Sequence, residues 1–544
     1  MNRKWIIGLG ALALAGTVAL ATVALQWNRF DGRINALGVD LRQPMAYIGT
    51  ASLSALPRDL VKAPVLREFL TEDFAFYYEE HEDRLGLGGA LRRIAFEHQP
   101  TLADNLIELA LDEPAEVALW TDGKGAPRHW AMAMTRGSVA RALQGLAAVA
   151  AKDKQLTLIG ALKSSLFGWS SQPVYALALS PRRTLAIATR GNRVVVLSDP
   201  GLLFNAERQA DPQAAQVLES LLSGDDGAQA LWRQHFGLGA PGAGHTLVAG
   251  GTLLSFGYQH FFPSLQALRV DLAPGGRNLR SFVRRSAAAP AGPAPWPALP
   301  AQAAACALLP VDWARTKAVL SDTATAAPAA SAAGSEPAPD RKAALSAMAD
   351  AFDGPAAICW YERSQLHTPL LVAHAKGAAP GAAVLANFAQ WWLPTAAELS
   401  GEAASGTQAR VNAPYGALRE GDNSAYQSRF ARAGDWWVFS PDGELVEQAQ
   451  ASIARRYPSL ADTLGERPGT LALVAPQQVA ELLRREALAV ITPQQASFRQ
   501  AADQQLLPRL AAFGKLPASH ALPQGAADAQ GWQALDWQPL KAAR

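Results

Sequence analysis

Leu111-Asp112-Glu113-Pro114-Ala115-Glu116-Val117-Ala118-Leu119-Trp120 and Phe352-Asp353-Gly354-Pro355-Ala356-Ala357-Ile358-Cys359-Trp360-Tyr361 are two versions of one phrase. In each, a helix gives way to a strand, a run of small, branched and aromatic residues that reads as buried. A polar turn leads to a second apolar run, His129 to Met134 in one copy and Leu370 to His374 in the other, followed by Gly137 or Gly377. Farther on, Val194-Val195-Val196-Leu197-Ser198-Asp199-Pro200-Gly201 answers Asp435-Trp436-Trp437-Val438-Phe439-Ser440-Pro441-Asp442. The spacing between copies is 241 residues at Asp112 and Asp353 and 242 at Ser198 and Ser440. A third echo sets Leu247-Val248-Ala249 against Leu473-Val474-Ala475, with residues lost from the chain between. Similarity kept at one spacing over so long a stretch is the mark of an internal duplication, and a duplication governs the reading of the fold.

The repeated phrase has a physical logic. A strand ends on Ser, Asp, Pro or Gly, which supply a helix N-cap and a proline for the first turn. An Ala/Leu helix is then expected, as at Leu445 to Arg456 or Val139 to Ala151. Turns at Asp122-Gly123 and Arg190-Gly191-Asn192 imply antiparallel hairpins. The expectation is therefore an α+β fold, in which an N-terminal transmembrane helix precedes two similar halves. Each half is read as a mixed or antiparallel sheet with helices packed on it. Ser286 to Ala305 is almost wholly Ala and Pro, with prolines at 290, 293, 295, 297 and 300, and reads as a semi-rigid linker. The division is then 1–30 for a signal-anchor, 31–285 and 306–544 for the two repeat domains, and 286–305 for the linker between them. A second tract, Thr323 to Asp340, reads as a surface loop.

Trp5 to Trp27 is an uncharged apolar run, preceded by Arg3 and Lys4. A helix needs about 20 apolar residues to cross a bilayer, and basic residues remain on the cytoplasmic side. Residues 5–27 therefore read as a membrane anchor, with the chain in the inner membrane as a single-pass protein and its bulk in the periplasm. The rival is a cleaved signal peptide, for which Ala19-Leu20-Ala21 offers a site, but a signal core runs to about 7–15 residues and this one is longer. The whole chain has 544 residues, 49% hydrophobic and 18% charged, which is globular rather than disordered. Lys+Arg total 49 against Asp+Glu 47, so no excess of positive charge points to nucleic acid.

One segment of the first half has no counterpart in the second. Thr71 to Gly86 reads as a helix with Thr71 as N-cap and with Phe74, Tyr77, Tyr78, His81 and Leu85 on a core-facing stripe. Glu72, Asp73, Glu79, Glu80, Glu82, Asp83 and Arg84 make an acidic face and are the candidate interaction surface. With His81 and His98 the same segment, 72–98, is where a hydrolase or modifying enzyme would find its acid and base. Neighbouring carboxylates on a helix point in different directions, which favours a solvated face over a catalytic pair. Gly86-Leu87-Gly88-Gly89 lacks the spacing of a dinucleotide loop, and Asp122-Gly123-Lys124-Gly125 lacks the Ser or Thr of a phosphate loop. No H-E-x-x-H, G-x-S-x-G or S-x-x-K motif is present. The 9 histidines show no ligand spacing, so neither a metal nor a cofactor is expected. The pairs Trp391-Trp392 and Trp436-Trp437 are either core filling or a ligand platform.

Leu70-Thr71-Glu72-Asp73-Phe74-Ala75-Phe76-Tyr77-Tyr78, Glu82-Asp83-Arg84-Leu85-Gly86-Leu87 and Leu91-Arg92-Arg93-Ile94-Ala95-Phe96-Glu97-His98 resemble the YfaA-type family of bacterial proteins. The likeness is sharpest from Leu53 to Leu119. Its members are exported proteins of unknown function, and the family offers no catalytic residues to carry over. Its genes often lie near one for an α2-macroglobulin-like protease trap, so the resemblance implies an envelope partner of that kind. A non-enzymatic binding or interaction module follows as the functional expectation.

The two cysteines, Cys306 and Cys359, both stand in apolar runs that read as strands. Export would permit a disulfide between them if the strands are neighbours. Two buried thiols acting as small hydrophobes is the alternative. The duplication puts Ala118 opposite Cys359 in the alignment of the copies, and Met45 to Ile48 has no cysteine, so a bridge would belong to the second half alone.

Overall fold

The computed structural model describes residues 34–53, 55–63, 114–121, 127–135, 156–163, 171–180, 183–223, 231–240, 242–254, 265–276, 278–285, 292–309, 311, 313–314, 317–318, 350–364, 368–377, 429–440, 442–465, 469–490 and 502–540. They fall into two compact units. The N-terminal unit runs to Gly250 and takes back Leu268–Ser281, and the C-terminal unit holds Gly251–Ala267 and the chain from Phe282 onward.

In the N-terminal unit the strands are β1 (Ala46–Thr50), β2 (Ala115–Thr121), β3 (Pro127–Thr135), β4 (Leu156–Lys163), β5 (Ser171–Ser180), β6 (Arg183–Arg190), β7 (Arg193–Leu197) and β8 (His245–Gly250). β1 lies between β2 and β8, and the ladder continues through β3, β7, β6 and β5 to β4, antiparallel at every step. The order is β8-β1-β2-β3-β7-β6-β5-β4. Val194, Val195, Val196 and Leu197 are all buried, which is why β7 is a continuous apolar run rather than an alternating one. Ala214, Val217, Leu218, Leu221 and Leu222 are the buried stripe of the helix Pro212–Ser223, which packs on β7 and β6.

β9 (Leu265–Leu272) and β10 (Leu279–Arg285) follow. The C-terminal unit then adds β11 (Ala303–Leu309), β12 (Phe352–Tyr361), β13 (Leu370–Ala375), β14 (Arg429–Ala433), β15 (Trp436–Ser440), β16 (Ala472–Val474), β17 (Ser519–Gln524) and β18 (Trp532–Pro539). β11 lies between β12 and β16; β12 leads through β13 and β15 to β14, and β16 leads to β17 and β18. The order is β18-β17-β16-β11-β12-β13-β15-β14.

Six strands therefore recur in one arrangement: β8-β1-β2-β3-β7-β6 in the first unit and β16-β11-β12-β13-β15-β14 in the second. Residue registers agree as well. Tyr47 faces Ala118 across β1 and β2, as Cys306 faces Cys359 across β11 and β12. The hairpins β6–β7 and β14–β15 turn through two residues each, Gly191-Asn192 and Gly434-Asp435. Gly191 and Gly434 have φ of 58° and 56°, a left-handed conformation that a side chain disfavours. Aligning these turns sets the copies 243 residues apart there, as Gly191 and Gly434 are numbered. Leu197, not Ser198, is thus the counterpart of Ser440. The third echo likewise shifts by one, since the ladders place Leu247-Val248-Ala249 against Ala472-Leu473-Val474.

The α+β expectation is corrected. Among the described residues the architecture is β-dominated, eighteen strands in antiparallel sheet with few helices. The misreading has a physical source in strands poor in β-branched residues. Leu156–Lys163 (LTLIGALK) and Ser171–Ser180 (SQPVYALALS) carry no strong strand pattern, yet each is a strand because it pairs along its length with a neighbour. Ala303 to Leu309 (AAACALL), read as strand around Cys306, is a strand that pairs on both edges and buries Ala303, Ala304 and Cys306. One expected helix is found, as Gly443–Ile453, with the Asp442 carboxylate accepting from the N–H of Glu444. The other, at Val139 to Ala151, lies outside the described residues. In the stretch read as a linker, Trp296, Ala298 and Leu299 are buried in the core of the C-terminal unit with Leu445, Val446 and Leu460.

The transmembrane and localisation expectations are corrected too. Among the described residues no helix is long and apolar enough to cross a membrane. The helix Pro476–Val490 has 15 residues, short of the roughly 20 a bilayer requires. Residues 5–27, on which the anchor reading rested, lie outside the described residues. The placement as a single-pass inner-membrane protein with a periplasmic bulk is withdrawn.

Candidate functional site

Two polar assemblies are built on the opposite faces of β1, a five-residue strand whose alternate side chains point to opposite sides. Thr50 starts the first. Its neighbour across the ladder is His245 of β8, and Thr50 Oγ1 lies 2.7 Å from His245 Nδ1. On the far side of the ring, His245 Nε2 is 3.1 Å from Asp59 Oδ2, on the helix Ala55–Lys62. The same carboxylate oxygen accepts from the N–H of Gly275 at 2.8 Å, and Lys62 Nζ stands 3.8 Å from Asp59 Oδ1. Thr50, His245 and Asp59 are all buried.

A hydroxyl, an imidazole and a carboxylate in line have the composition of a nucleophilic relay, in which the hydroxyl must give its proton to the ring. Here the Thr50 hydroxyl has a second acceptor, the carbonyl of Ser52 at 2.6 Å, so the backbone competes with the ring for its one proton. The chain of bonds joins β8, β1, the helix Ala55–Lys62 and the turn at Gly275. It acts as a buried staple. In the C-terminal unit the ladder carries His245 onto Thr470, whose Oγ1 lies 3.3 Å from Nδ1 of the buried His520.

The second assembly uses Tyr47 and Gly49. These share a face of β1 with Glu116, which is opposite Gly49 on β2. A Cβ on Gly49 would lie 2.6 Å from the Tyr47 hydroxyl, so glycine there lets the phenol lie along its own strand and donate to the Glu116 carboxylate. Arg233 Nε, on the helix Leu231–His235, is 2.9 Å from Glu116 Oε1, too far off the N–H axis for an aligned hydrogen bond but a close ion pair. Burial pushes the Glu116 carboxyl above its ordinary range, against the pull of Arg233, the Tyr47 hydroxyl and Arg193. Burial, with the Glu116 charge adding to it, pushes the Tyr47 phenol far upward. Beside them Trp232 is wholly buried, donates from Nε1 to the carbonyl of Leu41 at 3.0 Å and meets Trp120 edge-on at 5.9 Å.

The C-terminal unit carries different chemistry at the matching places. Cys306 and Cys359, cross-strand partners with Cα atoms 4.1 Å apart, are joined by a disulfide in a core with Leu299, Ala357, Val372 and Val438. At one end of this sheet, Asp353, His374 and Trp436 fall in register across β12, β13 and β15. The Asp353 carboxylate is hydrogen-bonded to His374 Nδ1, and the indole of Trp436 stands at 82° to the imidazole. On the opposite face Trp313 stacks on Phe352 at 4.7 Å, and Arg432 lies 5.8 Å over the ring of Trp437. Of the Trp436-Trp437 pair, Trp437 is core and Trp436 is half-buried beside His374.

The acidic surface Glu72, Asp73, Glu79, Glu80, Glu82, Asp83 and Arg84 lies outside the described residues, as do His81, His98, Trp391 and Trp392. Among the described residues no three His, Cys, Asp or Glu side chains converge as a metal site. Sequence reading missed both assemblies on β1. Thr50 and Asp59 are 195 and 186 residues from His245, and no local motif links them.

The profile of a family described as uncharacterized protein conserved in bacteria (DUF2138) matches residues 5–541. The chain is 30% identical over 579 aligned positions to the uncharacterized protein YfaA of Escherichia coli (strain K12), covering 98% of each chain. No solved structure matches.

Proposed function

We propose that this chain, which belongs to the DUF2138 family of uncharacterized proteins conserved in bacteria, is a non-enzymatic protein-binding module presented on a duplicated antiparallel scaffold. The observation that carries the reading is the burial of the Thr50–His245–Asp59 chain. Its hydroxyl, imidazole and carboxylate are all enclosed, bonded to groups of the protein itself, and tie elements together. Glu116, Arg233 and Tyr47 are likewise committed to one another. Sheets held this rigidly suit the presentation of a fixed surface, because pre-organisation reduces the entropy lost on binding.

The family resemblance supplies the partner to test first, an α2-macroglobulin-like protease trap from the same genome. Biolayer interferometry of the full chain against that purified protein should give saturable binding at micromolar concentration or below. Absence of saturable binding would remove the proposed partner. A panel of ester, amide and phosphoester substrates checks the non-enzymatic reading in parallel. Turnover by wild type that vanishes in Thr50→Val, a near-isosteric change, would replace the binding module with a hydrolase.

A further inference from the structure

β11 lies inside the C-terminal ladder, between β12 and β16. It forms a long ladder with β12 on one edge and meets β16 over only three residue pairs on the other. The Cys306–Cys359 bond ties the long ladder together at its centre, and the two residues are 3% and 0% exposed. The register of the N-terminal unit shows what the same scaffold does without cysteines. There the matching pair is Tyr47 and Ala118, one large side chain beside one small, both buried. A fold that closes over Tyr and Ala in one copy has no topological need of a cross-link in the other.

We propose that the Cys306–Cys359 bridge is a redox-set stability lock that the C-terminal unit carries and the N-terminal unit lacks. Closing the lock oxidises two thiols with a small-molecule disulfide as acceptor: the S–S bond forms between Cys306 and Cys359, and the acceptor leaves as two thiols. A thiol reductant reverses the exchange. Because attack requires access to sulfur, the exchange runs through opening of the β11–β12 ladder and not in the closed state. The reduced cysteines remain as small buried hydrophobes, so the strand order survives. Only the opening equilibrium changes. A cross-link spanning 53 residues of sequence restricts the open chain by about a thousandfold in that equilibrium on the chain-entropy account.

The duplication supplies an internal control in one molecule. Full-length protein is reduced in mild denaturant, returned to native buffer under a phosphine, and compared with the oxidised form by hydrogen exchange and mass spectrometry. The double variant Cys306→Ala/Cys359→Ala is measured beside it. Amides of β11 and β12 should exchange faster by about two to three orders of magnitude in the reduced and alanine forms. Those of β1 and β2 should keep their rates. The lock is refuted if both pairs of strands accelerate together or if neither does. It is equally refuted if reduction unfolds the C-terminal unit outright, or if denatured, unreduced protein presents two alkylatable thiols.

Discussion

Arg233→Ala should destabilise the N-terminal unit by about 3–5 kcal/mol at neutral pH, the range for stripping one partner from a buried ion pair. The guanidinium is 11% exposed and the Glu116 carboxylate 17%, so little solvent is at hand to replace the lost partner. The pH dependence follows from the direction of the Glu116 shift. Its folded pKa already stands above the ordinary value because of burial, with Arg233 the strongest influence holding it down. Removing Arg233 lets it climb farther. A raised folded pKa favours the folded state at low pH, and that advantage is lost as pH rises through it. The gap between variant and wild type is therefore widest at neutral pH and above. It narrows as the pH falls toward the usual carboxylate range, where the acid is neutral in the folded state of both proteins. Urea unfolding across pH 4–8 measures it. A gap that stays flat with pH would mean that Arg233 acts by packing alone. Glu116→Gln added to Arg233→Ala should recover part of the loss at neutral pH.

Trp232→Ala removes a side chain with no exposed surface, and the expected loss is about 3–5 kcal/mol from cavity and transfer terms together. Trp232→Phe separates the contributions. It keeps most of the ring but leaves the carbonyl of Leu41 without the indole N–H, so a smaller loss of about 1–3 kcal/mol is expected. Equal losses for the two variants would show that the hydrogen bond, and not the packing against Trp120, fixes the residue.

The duplication was legible because strand punctuation is local: Asp112 and Asp353, and the Asp-Pro and Ser-Pro signals after β7 and β15, are short-range features. Its exact register was less legible. Ser198 and Ser440 invite alignment by identity, yet the glycine turns at 191 and 434 fix the copies one residue differently. Ser198 Oγ accepts from the N–H of Trp130, while Ser440 Oγ accepts from that of Asp442, so the two serines do different things. Fold class was misjudged where strands lack β-branched residues, as at β4 and β5, since propensity cannot see the partners that hold them in the ladder. The polar assemblies were invisible for another reason. Thr50, Asp59 and His245 come together only when β8 returns to β1, and nothing in the intervening chain announces that return.

The central claim is that one strand arrangement, in one register, occurs twice. Tyr47→Cys with Ala118→Cys, placed in a chain carrying Cys306→Ser and Cys359→Ser, tests it most directly. The shared register predicts that the new pair forms a disulfide, leaving no alkylatable thiol in denatured, unreduced protein. Two labelled cysteines in otherwise folded protein would contradict the equivalence of β1–β2 and β11–β12, and with it the duplication.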